Sequence, residues 1–465
     1  MSLTAPTAAG WLSLAEGAAP VTGRPDHRGG RITMRRTNTG KARRPLARGG
    51  LVLAAAALMA GAALPAHAEP RADDVVQVDL GLDGAQPDNW SEARGMSADG
   101  RYAVFTSLAS NLVQGDTNRL YDVFVRDLRT GRTERVSLAD DGAQLDGSTS
   151  QAAISGDGRY VAFASDAADV LPGLPANGGY RVFVRDRRTG HTELVSADGS
   201  AASPTISADG RYVAYTLDGR DIHVTDRWKG TTRLVTAGAD GSRADNSSAD
   251  PVISADGTTI GFRSRATNLL PRDQAPTAAP AAPTGSKPPR PRPTFPFYVY
   301  DARTGRIQGA SVDPAGMLRD AHPYVNLSPD GRYATFRVFE PNGTDEEGSH
   351  VELYLRDLRH GTTTKAALPL PGTRTVHDAY RGSVTADGRW LLFASGADNL
   401  VPGDTNQAVD LFRRDLRTGR IERIGPAGGA TDISWTPNSL SVDGPGTTAL
   451  FDGGGKVYAR RLPPA

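Results

Sequence analysis

The sequence predicts an all-β fold: a single seven-bladed β-propeller of four-stranded antiparallel blades, its ring closed by an N-terminal strand added to the last blade. Three observations predict it. A short phrase returns seven times along the chain. Each return is followed by alternating apolar runs of strand length. The first such run has no phrase before it, while the last copy is one strand short.

The phrase is Ser97-Ala-Asp99-Gly100-Arg101-Tyr102 in its first copy, Ser155-Gly-Asp157-Gly158-Arg159-Tyr160 in its second and Ser207-Ala-Asp209-Gly210-Arg211-Tyr212 in its third. Later copies begin at Ser254, Ser328, Thr385 and Ser441, and all seven are spaced 47 to 74 residues apart. Self-similarity at this period marks a repeat architecture. In the second unit the apolar runs are Tyr160–Ala164, Val182–Asp186, Thr192–Val195 and Pro204–Ile206. Alternation over so few residues, bounded by Asp-Gly and Thr-Gly, reads as strand and tight turn. Four such runs make an antiparallel meander, which is a propeller blade. The last unit holds three strands, including Thr448–Phe451 and Lys456–Arg460. Val75–Leu80 followed by Asp83-Gly84-Ala85-Gln86 mirrors Glu134–Ser137 followed by Asp141-Gly142-Ala143-Gln144, and so supplies the missing outer strand. Closure removes two free sheet edges.

Residues 1–68 read as a targeting segment. Six basic residues between Arg35 and Arg48 precede the apolar run 51–68, which ends in Ala66-His67-Ala68. That is the order of a secretory signal, with cleavage expected after Ala68 and Met34 as a plausible start. The propeller then spans 69–465, with a Pro/Ala-rich insertion at 274–296 in the fourth blade. Residues 1–68 carry nine basic and two acidic groups, so the remainder has 44 basic against 50 acidic groups, net −6. No basic footprint is left for nucleic acid. No second long apolar run implies a membrane span. The absence of Cys excludes disulfides, thiolate metal sites and a Cys nucleophile. The expectation is a secreted or extracytoplasmic monomer.

The phrase and the strand that follows it, most closely at Ser328-Pro329-Asp330-Gly331-Arg332-Tyr333, resemble the PD40, or WD40-like, repeats of the TolB-like propellers. The resemblance covers almost all of 75–462. It implies an exported propeller and leaves activity open, because one fold hosts many functions.

Two sets of residues are candidate sites. Asn111-Leu-Val-Gln-Gly115-Asp116-Thr-Asn118 followed by Asp122 recurs as Asn399-Leu-Val-Pro-Gly403-Asp404-Thr-Asn406 followed by Asp410. Oxygen side chains at this spacing resemble part of a calcium loop, and Asx-stabilised hairpin loops explain the same residues. No other cofactor is expected. The second set lies where an outer strand crosses to the next inner strand, at the mouth of the central channel. Trp90, Glu92, Gln151, Asp250, His322, Tyr324, His377, Tyr380, Arg381 and Trp435 stand there and break the repeat, whereas framework residues obey it. Recurrent Asp residues at the same crossings, Asp88, Asp146, Asp245, Asp320, Asp378 and Asp432, read as loop caps.

No zinc-protease, nucleophile-elbow or phosphate-loop motif is present. The expected function is therefore a non-enzymatic binding or protein-interaction module, docking a protein, a peptide or a cell-envelope glycan at the mouth. One alternative is an extracellular enzyme acting on polysaccharide or peptide through His322 and His377. The other is a calcium-stabilised structural envelope protein.

Overall fold

The structure, a computed structural model, describes residues 75–174, 179–271, 294–341, 349–373, 379–406, 408–426 and 439–463. The targeting segment, most of the insertion, His377, Asp378, Asp432 and Trp435 lie outside the described residues. Seven four-stranded antiparallel sheets follow one another in chain order. Their inner strands are Ser91–Met96, Thr149–Ile154, Ala201–Ile206, Ser248–Ile253, Asn326–Leu327, Ala379–Val384 and Leu440–Val442. Each neighbours the next, and the last neighbours the first, so they form a closed ring. The only helical element among the described residues is a short 3-10 turn, Leu82–Gly84.

Closure is as the termini predict. Val75–Gln77 pairs with Lys456–Arg461 as the outer strand of the seventh blade. The blade core repeats a single device. The fourth residue of every second strand is aromatic and stacks on a ring of the third strand. Phe105 lies on Phe124, Phe163 on Phe183 and Tyr215 on His223, and the same pairing continues round the ring to Phe451 on Tyr458, with centroids 5.5 to 6.0 Å apart. Cross-strand aromatic pairs of this kind stabilise a sheet beyond their buried area.

The phrase itself is a turn and an interblade joint. Ser97 Oγ donates to Asp99 Oδ1 at 2.5 Å and accepts from Tyr102 N at 2.9 Å, while Asp99 also accepts from Arg101 N at 3.1 Å. Gly100 has φ +70°, a conformation Gly adopts at little cost. Arg101 pairs with Asp127 at 2.7 Å, as Arg211 does with Asp226 and Arg332 with Asp357. The Tyr of one phrase packs on the Gly of the next: a Cβ on Gly158 would strike the Tyr102 ring. In the seventh blade the phrase begins two residues later than the sequence suggests. Asp443 takes the Ser position, accepting from Thr448 N at 3.0 Å.

Candidate functional site

Inner strands begin on the crossing face, and their starts are irregular. Bulges fall between Ala93 and Gly95, Thr149 and Gln151, Ala202 and Thr205, Ala249 and Val252, and Ala379 and Gly382. A bulge re-aims side chains and is frequent beside sites. The irregular stretches hold Arg94, Ser150, Ser203, Asp250, Tyr380 and Arg381. In the fifth blade pairing starts only at Asn326, and Tyr324 before it has φ +81° with half its surface exposed. A bulky residue in the left-handed region costs about 1–2 kcal/mol, strain that cluster formation at a site would explain.

These starts and the fifth residues of the second strands form an arc of charge from blade 4 round to blade 1. Arg263 Nε donates to Asp250 at 2.6 Å and its Nη1 to Ala321 O at 3.0 Å. Two guanidiniums lie by the Tyr324 ring: that of Arg381 is 3.0 Å from the ring centre and that of Arg337 5.3 Å. Burial, with Arg337 alongside, brings Arg381 down to about 9, against the opposite pull of Tyr324 and Asp452. Burial lowers Arg337 too. Its Nη2 donates to Pro323 O at 3.3 Å, its Nε meets no acceptor, and among the described residues it forms no ion pair. His322 is lowered from 6.5 by burial and by the guanidiniums of Arg337 and Arg263, which disfavour its protonated form. Its ring meets Phe339 edge-on, centroids 3.9 Å apart. Asp452 is pushed up to about 6 by burial and by Glu92, against the donor Ser439 N and the charge of Arg381. Arg94 closes the arc, donating to Glu92 at 2.6 Å and to Ser150 O at 3.0 Å.

Glu92, Asp250, His322, Tyr324, Tyr380 and Arg381 thus belong to one arc. Gln151 instead ties two blades, its side-chain oxygen accepting from Ser203 N. Trp90 is 61% exposed, its indole against Gly455. The proposed meeting of His322 with His377 falls outside the described residues. Sequence reasoning passed over Arg94, Arg263, Arg337, Phe339 and Asp452. A signal existed: the fifth residue of the second strand is Thr106, Ala164, Thr216 or Ala394 in four blades and Arg263, Arg337 or Asp452 in three.

The crossing aspartates act as caps where described. Asp88 accepts from Ser110 N at 2.8 Å, and Asp245 from Thr267 N at 2.7 Å. The calcium candidates have a counter-ion within the chain. Arg135 Nη1 lies 3.6 Å from Asp116 and 3.5 Å from Asp122. Arg423 lies 2.9 Å from Asp404 and 3.8 Å from Asp410. Asn118 and Asn406 accept from Leu120 N and Ala408 N within their own loops. A guanidinium beside each carboxylate pair argues against calcium there.

Asp410 yields a prediction. Burial, with Asp404 nearby, raises it to about 6 against the pull of Arg423. The folded value lies above the unfolded 3.8, so the fold binds this proton more tightly, and the contribution is fully present below pH 4 and lost as pH rises through 6. About two pH units correspond to roughly 3 kcal/mol. Asp410→Asn should therefore be more stable than the native chain at pH 7 and lose that advantage by pH 4, as read by urea unfolding at both. A difference that does not change with pH would show that Asp410 titrates normally.

No family model and no curated protein matches the chain. Solved structures do. An oligogalacturonate lyase from Vibrio parahaemolyticus is similar with a TM-score of 0.50 at 11% identity, covering 85% of this chain and 99% of that one. An oligogalacturonate lyase in complex with manganese gives 0.49 at 11%, over 84% and 93%. The Cps50 (Swd1) β-propeller domain from Myceliophteria thermophila gives 0.45 at 11%, over 80% and 96%. At such identity the likeness is one of fold. It nevertheless overturns the expectation that a propeller without a catalytic motif is a non-enzymatic binding module. That expectation took a motif-free propeller for a scaffold, and one similar propeller is an oligogalacturonate lyase. As for manganese, the described mouth is lined by guanidiniums, and among the described residues no three His, Asp or Glu side chains are grouped to hold a metal ion. The described residues do not fit the ion.

Proposed function

We propose that this chain is an exported, monomeric, TolB-like PD40-repeat propeller that acts as an enzyme on acidic polysaccharide or oligosaccharide, cleaving it by β-elimination at the crossing-face mouth. The observation that carries the reading is His322, an imidazole that burial and the charges of Arg337 and Arg263 hold below its usual range. A base must be unprotonated at working pH and near the proton it takes. Beside it, Arg337 has no carboxylate partner among the described residues, so a uronate carboxylate would supply one. Arginine matches a carboxylate with two parallel hydrogen bonds.

In this reading Arg337 and Arg381 hold the carboxylate of the sugar and stabilise charge that builds on it as the adjacent carbon loses its proton. His322 takes that proton. The released electron pair forms a carbon–carbon double bond as the neighbouring glycosidic C–O bond breaks. The leaving oxygen takes a proton from solvent, His322 returns its own, and no water is consumed. The lyase neighbours act on an oligouronate, which agrees in substrate class.

The test is incubation of residues 69–465 with polyuronates and with neutral glucans. The expected result is unsaturated uronate, seen by its ultraviolet absorbance, from the former and no product from the latter. Reducing ends without the double bond, or no product from any polyuronate, would overturn the reading.

A further inference from the structure

The fifth blade departs from the others in length. Its second strand, Tyr333–Pro341, has nine residues where every other second strand has six. It pairs throughout with Ser349–Asp357. The three added pairs, Phe339 with Val351, Glu340 with His350 and Pro341 with Ser349, extend the hairpin beyond the blade on the crossing face. Residues two apart on a strand share a face, so Thr335, Arg337 and Phe339 stand in line. Thr335 Oγ1 donates to Gly382 O at 2.9 Å, which directs that face toward the inner strand of the sixth blade, where Arg381 lies. Phe339 is therefore the next step outward from Arg337 on the same wall.

The extension is braced. Glu340 pairs with Arg319 at 3.0 Å and accepts from Tyr354 Oη at 3.3 Å. Glu352 on the partner strand pairs with Lys365 at 2.7 Å. Yet Phe339 is 49% exposed and lies outside the aromatic stack of the blade, which Phe336 and Tyr354 complete. A phenyl ring held half in water on a rigid support contributes little to folding. Exposed aromatics beside a polar cleft are a mark of a binding site.

We propose that the overhanging hairpin carries a glycan subsite, in which Phe339 stacks on the apolar C–H face of a sugar residue next to the one whose carboxylate is held by Arg337 and Arg381. The occupant is a second uronate unit of the same chain. Its ring supplies the flat apolar face a phenyl group can cover, and its charge suits a wall that also bears Arg337. The subsite rests on the uronate-cleaving reading of the mouth. It adds that the enzyme prefers longer chains and that Phe339 sets this preference.

The experiment compares kcat/KM on oligouronates of increasing length for the native chain, Phe339→Ala and Phe339→Trp. A well-covered aromatic contact is worth about a tenfold change in the constant. The native chain should gain with length. Phe339→Ala should lose about tenfold on the longer oligomers relative to the shorter, and Phe339→Trp should recover the gain and show an indole fluorescence change when an oligouronate binds. Phe339→Ala with an undiminished gain, in an enzyme that cleaves uronates, would overturn the subsite and leave the proposed function standing. A native chain that cleaves no uronate of any length would overturn both.

Discussion

A chain lacking residues 1–80 is expected to lose the single cooperative unfolding transition of the intact ring and to associate in solution. The reason is that this strand completes the last blade and also packs on the first. In the sheet Val75–Gln77 pairs with Lys456–Arg461 alone, and Val78 N adds a bond to Val457 O at 2.7 Å. Val78 is fully buried against Ala93, Phe105, Leu450 and Val457, so it touches the first blade as well as the last. Burying one Val is worth roughly 1.5–3 kcal/mol, and each lost ladder bond about 1 kcal/mol. The total is comparable with the whole net stability of a domain, about 5–15 kcal/mol. The truncated seventh blade would also present Lys456–Arg461 as an open edge, a template for pairing with another chain. Denaturant unfolding and size-exclusion chromatography of the 69–465 and 81–465 chains would show it. Equal midpoints and two monomers would mean that the ring is closed by something other than this strand.

The strand belongs to the part of the molecule that was readable beforehand, and the site belongs largely to the part that was not. Framework positions are legible because each recurs: Ser97, Asp99, Gly100 and Tyr102 do the same work in several blades, so repetition averages out accident. The inner strands were read too short. Ala201–Ile206 looks like Pro204–Ile206 because the bulge at Ser203 and Pro204 breaks the alternation that marks a strand, and Pro is tolerated in a sheet at such a bulge. Tyr324 and Arg381 stand out in the sequence because they depart from the repeat at crossings. Arg263, Arg337 and Asp452 were missed because they sit inside strands, where an alternating run still looks regular when a channel-facing position turns from small to charged. Phe339 was missed because three extra residues in a hairpin read as loop length. Spacing leaves the calcium and Asx-turn readings undivided for a different reason. The sequence shows Asp116 and Asp122 but not that the outer strand brings Arg135 between them, a contact of blade pairing that no spacing reveals.

The second large effect is expected at His322 and Arg337, and it separates a base from a structural residue. Positioned bases contribute about 10²–10⁴-fold, so His322→Ala should lower kcat on polyuronate by that order. A loss alone would be ambiguous, because His322 N also donates to Arg337 O at 2.9 Å and its ring braces Phe339. The pH profile resolves it. A base works only when unprotonated, so native activity should fall as pH drops through the His322 value, which burial and two guanidiniums hold below 6.5. In His322→Ala that acid limb should vanish from whatever activity is left. Arg337→Ala removes one of the charges that depress His322, so the limb should move to higher pH even as the carboxylate clamp weakens and KM rises. Arg337→Lys keeps the charge and loses the planar fork, so it should raise KM while leaving the limb nearly in place. A structural role for either residue would lower activity at every pH without moving the limb. The proposed base is refuted if His322→Ala keeps the native acid limb, because the titrating group would then lie elsewhere in the mouth.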